Sequence, residues 1–180
     1  MPYPDTVGIS FTEAMRGQLD KAGGGKLPFV FRLDLRIPSM NKFRDATAHV
    51  ATVVGGTITW NGTAHPVTGG FVHMFDKAGS KTRVFDYQFT WDMPAGETRM
   101  EAIKTLHDDH GPDLLADLSQ VRATVTRSGD LLATGRLGVS IGDLLSQLTT
   151  ITVLGTTVPK VKSEATNDFF AFMNDQLQQV

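Results

Sequence analysis

Phe29-Val30-Phe31-Arg32-Leu33-Asp34-Leu35-Arg36 places Phe29, Phe31, Leu33 and Leu35 on one side of an extended chain and Arg32, Asp34 and Arg36 on the other. Successive side chains of a strand point to opposite faces, so this pattern describes a strand with one face in a core and one in water. Val84-Phe85-Asp86-Tyr87-Gln88-Phe89-Thr90-Trp91 repeats it, with Phe85, Tyr87, Phe89 and Trp91 inward. A chain that spends its aromatic residues in this way is building an antiparallel sheet with a single apolar face.

Working outward, turn signals divide the rest into strands of similar length. Between residues 47 and 75 two β-branched runs are joined by Trp60-Asn61-Gly62-Thr63, and Asn-Gly supplies the two positive-φ residues of a type I′ hairpin turn. Arg127-Ser128-Gly129-Asp130 joins Val121–Val125 to Leu131–Leu137 in the same manner. Turns are also expected at Asp76-Lys77-Ala78-Gly79-Ser80 and Asp92-Met93-Pro94-Ala95-Gly96. Further strands are expected near residues 7–16 and 98–107. Residues 11–19 are ambiguous, since Phe11, Met15 and Leu19 are also spaced for a helix.

About eight strands joined by short turns predict a mainly β fold, an antiparallel β-barrel of the lipocalin-like kind, with a sandwich as the alternative. Both arrangements bury the apolar face and limit open edges. Short helical pieces are expected at Ser39–Arg44 and after Ser140, where Ser140 and Asp143 have the spacing of a capping box ahead of Leu144, Leu145 and Leu148. An amphipathic helix over about 166–178 should carry Phe169, Phe170, Phe172, Met173 and Leu177. With 180 residues the expectation is one domain, 1–180, large enough for a continuous core.

Composition narrows the chemistry. No cysteine is present, so thiol nucleophiles, thiolate metal sites and disulfides are excluded. The 17 basic and 19 acidic residues set up no overall field for nucleic acid or an anionic membrane. No run approaches the roughly 18 apolar residues of a membrane helix, and Met1-Pro2-Tyr3-Pro4-Asp5 has no leader pattern, so a cytoplasmic location is expected.

Three features could carry function. His107-Asp108-Asp109-His110-Gly111-Pro112-Asp113, with Asp117 beyond it, holds donors suited to a divalent metal, but the spacing fits no metal motif and Gly-Pro marks a turn, so no metal site is assigned. His73 shares a strand face with Val67, Phe71 and Phe75; pointing inward near Glu101 or Tyr87 it could shuttle protons, or serve as a core histidine. The inward residues Phe29, Phe31, Leu33, Phe71, His73, Phe85, Tyr87, Phe89 and Trp91 could line a ligand cavity, or fill the interior themselves. Nucleophile-elbow, phosphate-loop and dinucleotide-binding motifs are absent, so neither a catalytic residue nor a cofactor is assigned.

Several segments in order resemble a β domain found within cholesterol-oxidase-like flavoproteins of the glucose-methanol-choline oxidoreductase superfamily. They are Phe11-Thr12-Glu13-Ala14-Met15-Arg16-Gly17, Gly56–Thr59 with Pro66–Phe71, Lys104 through Asp109 to Asp113 and Asp117, Gly138–Ile141 with Asp143, Gln147–Thr150, and Phe169-Phe170-Ala171-Phe172. The flavin-binding part of such proteins has no counterpart here. The resemblance implies an accessory domain, with Lys104, Asp109, Asp113 and Asp117 as polar positions of its pattern. The leading expectation is therefore a non-catalytic barrel that binds a hydrophobic small molecule, lipid or sterol-like, and possible partners are an oxidoreductase or a second copy of the chain. A small barrel enzyme of isomerase or cyclase type, using His73 or the 107–117 loop, and an interaction or dimerisation module are the alternatives.

Overall fold

The structure is a computed structural model of the chain and describes residues 3–107 and 119–178. Eight strands, β1 (Gly8–Lys21), β2 (Lys26–Ile37), β3 (His49–Trp60), β4 (Thr63–Gly79), β5 (Thr82–Met93), β6 (Gly96–His107), β7 (Gln120–Arg127) and β8 (Asp130–Gly138), pair antiparallel in sequence order. β1 then pairs with both β2 and β8 and closes the barrel. Closure, not a sandwich, is the solution adopted.

Antiparallel order puts four tight turns at one end. Asn61 and Gly62 have φ of 48° and 84°, Ser128 and Gly129 have 52° and 89°, and the mirror-image turns they form match the right-handed twist of the flanking strands. The opposite end carries helices α1 (Met40–Asp45), α2 (Ile141–Leu148) and α3 (Pro159–Leu177), together with the short strand β9 (Thr152–Leu154). Ser39 Oγ caps α1 by accepting from Lys42 N, and Ser140 Oγ caps α2 by accepting from Asp143 N.

The hairpin half of the barrel is solid. Phe29, Phe31, Tyr87, Phe89 and Trp91 are all buried, and neighbouring rings among them and Trp60 have centroids 5.5–6.3 Å apart. Each such ring contributes about 2–3 kcal/mol through burial. Leu33, Met15, Leu19 and Leu27 fill the gaps between them and are equally buried.

Four expectations need correction. Phe71 and His73 face outward, because β4 shifts register against β5 between Val67 and Gly69. One extra residue reverses every side chain beyond it, so Val72 and Met74 take the interior positions. The expected turn at 76–80 is shorter, since β4 runs on to Gly79 after a second register shift around Phe75, whose φ of 62° swings its ring back inward. The C-terminal helix begins at Pro159, not near 166, because proline is well suited to the first helical turn, where its missing N–H leaves no bond unmade. β1 is also longer than residues 7–16, and β9 has no sequence signal at three residues.

Gly70 makes the bulged strand possible. Its φ is 153°, and a Cβ there would lie 2.3 Å from the Gln88 carbonyl oxygen. Neighbouring Gly69 has nothing within 4 Å of its Cβ position. Gly70→Ala should therefore destabilise the fold by about 2 kcal/mol or more, and Gly69→Ala by much less, as read by urea denaturation. Equal midpoints for the two variants would contradict this account of the bulge.

Candidate functional site

The wall of the barrel is incomplete at one place. β8 pairs with β1 only from Arg16 onward, and β9 takes over at Gly8–Ser10. Between them the backbone of β1 lacks a strand partner on that edge, and side chains of helix α2 and of the turn after it take that place. The Gln147 amide donates to the Ala14 carbonyl at 3.0 Å and accepts from Ala14 N at 3.1 Å, while Thr150 Oγ1 accepts from Thr12 N at 2.9 Å. Gln147 thus reproduces the paired bonds of a strand neighbour. Arg16 and Asp143 add an exposed ion pair at 2.8 Å.

Behind α2 lies a cavity of about 130 Å³. Phe11, Leu35, Val72, Met74 and Phe85 line it from the barrel, Leu144, Leu145 and Leu148 from α2, and Phe169 and Met173 from α3. Helix α3 is fixed over this end by Phe169 and Phe172, the latter stacked with Phe43, His49 and Phe75. A hydrogen bond from Tyr3 Oη to Asp168 (2.8 Å) ties it to the N-terminal segment. By contrast α2 buries none of its residues, and Leu145 is 52% exposed.

Where the cavity meets the packed aromatic half, two charges are buried. Lys104 Nζ lies 2.6 Å from Glu13 Oε1, and Tyr87 Oη donates to both oxygens of Glu13 at 2.9 and 3.0 Å. Lys104 is 2% exposed, with its ammonium 5.4 Å from the ring centres of Phe85 and Tyr87. Burying an unpaired charge is prohibitive, and mutual attraction plus the phenol hydrogen bonds and ring faces offset the desolvation here. Burial, and then the charge and hydrogen bond of Glu13, push the Tyr87 hydroxyl well above its ordinary pKa. Tyr3 is pushed up to about 12, by burial first and then by Asp168.

The residues singled out from sequence fall in different places. Phe85 and Lys104 line the cavity. Phe29, Phe31, Leu33, Tyr87, Phe89 and Trp91 point inward as expected but fill the interior rather than the cavity wall. Phe71 and His73 stack on each other outside the barrel, and His73 Nδ1 pairs with Asp76 at 3.2 Å. Asp109, Asp113 and Asp117 lie outside the described residues, and His107 is exposed at the end of β6. Among the described residues no cluster of histidine and carboxylate side chains could hold a metal, and no helix is long and apolar enough to cross a membrane.

Sequence reading did not single out Val72, Met74 or Glu13, and for Glu13 a signal existed. It interrupts the inward series Ile9, Phe11, Met15, just as Lys104 interrupts Met100, Ala102, Leu106. Opposite charges at inward positions of two strands of one barrel need each other as partners. Compared with known proteins, the chain matches no family model, and no curated protein or solved structure is significantly similar to it.

Lys104→Met leaves Glu13 buried without its counter-charge and should cost about 3 kcal/mol, whereas adding Glu13→Gln should recover most of that loss, both measured by urea denaturation. A double variant no more stable than the single one would contradict the pairing. The chain's two tyrosines, Tyr3 and Tyr87, make a second check simple. Both hydroxyls hold their protons more tightly in the folded state, so their stabilisation is complete below pH about 10, the unfolded value, and is lost as pH rises beyond it. Tyrosinate absorbance at pH 11 should stay low in folded protein, limited to the minor fraction expected of Tyr3, and rise with unfolding; normal titration of both tyrosines near pH 10 in folded protein would contradict the buried triad.

Proposed function

We propose that this barrel is a non-catalytic binding domain for a hydrophobic small molecule of lipid or sterol-like character. The observation that carries the reading is an apolar cavity whose outer wall, α2, contributes three leucines to it while burying no residue of its own. A wall of that kind can part from the barrel without disturbing the core. The volume of this half-open cavity suits one end of such a molecule, and larger ligands generally need several hundred Å³. The rest would extend past Leu145 and Leu148, which line the cavity and are also exposed. The flavoprotein resemblance supplies a context for this reading, an accessory role beside an oxidoreductase that handles apolar substrates.

The alternative chemistry at His73 gains no support from geometry, since His73 and Asp76 meet on the outer face of β4, away from the cavity. The apolar face of α3 packs on its own barrel through Ala165, Phe169 and Phe172, which removes the main argument for that helix as a docking element.

Native mass spectrometry of the protein purified from the cells that make it tests the proposal. A stoichiometric apolar adduct is expected, and Val72→Trp, which fills the cavity, should abolish it. A folded wild-type protein of clean mass that also takes up no added sterol or other neutral lipid would overturn the reading.

A further inference from the structure

The polar end of the cavity defines which hydrophobic molecules fit. This inference rests on the binding reading above and concerns the group that the ligand presents to the protein. An ammonium has three N–H donors and no acceptor. Among the described residues Lys104 Nζ has one hydrogen-bond acceptor, Glu13 Oε1, and it also lies over the rings of Phe85 and Tyr87. Glu13 is already well supplied, with Oε1 accepting from Lys104 and Tyr87, and Oε2 from Tyr87. The remaining polar lining is engaged elsewhere: the Gln147 amide on the Ala14 backbone and Thr12 Oγ1 on Asp34. Donors are thus in excess, at a lysine that lines an otherwise apolar space.

We infer that Lys104 receives a neutral oxygen acceptor, the carbonyl of a ketone or aldehyde, at the buried end of an otherwise apolar ligand. A hydrocarbon would leave the ammonium N–H groups unmatched. A carboxylate would bring a third charge to a pair that is already neutral, and its desolvation would not be offset. The half-open space is of the size that accepts a single aromatic ring, so acetophenone, its isostere isopropylbenzene and benzoate form a discriminating set of probes.

Titration of the full chain, followed by NMR, should show acetophenone binding about tenfold or more tightly than isopropylbenzene, the advantage of a hydrogen bond to a charged group, and benzoate binding more weakly than acetophenone. The infrared carbonyl band of bound acetophenone should lie at lower frequency than in an alkane solvent. In the charge-neutral variant Glu13→Gln/Lys104→Met the preference over isopropylbenzene should vanish while both probes still bind; the infrared band reads the same contact in the unmodified protein should that variant not fold. If isopropylbenzene binds as tightly as acetophenone, or the carbonyl band is unshifted, the head-group inference is overturned and the cavity remains a binding site. If benzoate binds most tightly, the neutral-acceptor inference fails. If none of the three binds, the binding reading itself fails with it.

Discussion

Everything in this barrel depends on the backbone of β1 finding hydrogen-bond partners along both edges. An eight-stranded sheet closes only if its first strand also serves as the neighbour of its last. β2 accompanies β1 over nearly its whole length on one side. On the other, β8, the side chains of α2 and then β9 divide the task. Closure is therefore achieved with two materials, strand over most of the wall and a helix where the last strand has turned away. The cavity sits behind the second material because helix side chains fill the space behind a gap less completely than a strand would.

The interior is correspondingly divided. Toward the hairpin turns, interlocked aromatic rings leave no room for a ligand. Toward the helices, smaller and more flexible side chains such as Val72, Met74 and Met173 leave space. The Glu13, Lys104 and Tyr87 group stands at the boundary, where the strands converge on packed rings below and open space above. An apolar set of the same shape could be at least as stable at such a location. The group's distinctive property is polarity in a place from which water is largely kept out.

Much of the fold was legible because alternation in segments such as 29–36 and 84–91 is a direct consequence of strand geometry, and because Asn61-Gly62 and Ser128-Gly129 have few other conformational uses. What escaped depends on distance along the chain. The bulge after Val67 reverses the face of Phe71 and His73, yet Thr68-Gly69-Gly70 reads locally as a continuing strand or a turn with equal ease. The ambiguity of residues 11–19 had a physical source: Glu13 stands where an apolar side chain was expected, and its partner is 91 residues away. The leucines of α2 were visible as an amphipathic face, but only the gap between β8 and β9 shows that this face becomes a wall.

That wall has a dynamic consequence. Local opening of a folded protein requires free energy in proportion to the contacts broken, and segments with little buried surface open far more often than the molecule unfolds. Helix α2 is held by the Gln147 amide, the Thr150 hydroxyl, one exposed ion pair and partly buried leucines, whereas α3 is anchored by stacked rings. Parting of α2 thus costs a local free energy smaller than that of unfolding the barrel, and includes loss of the bonds that Gln147 and Thr150 make to the β1 backbone. For a ligand bound as proposed, residence time would be set by a few side chains on and just after one short helix rather than by the packed rings at the other end of the barrel.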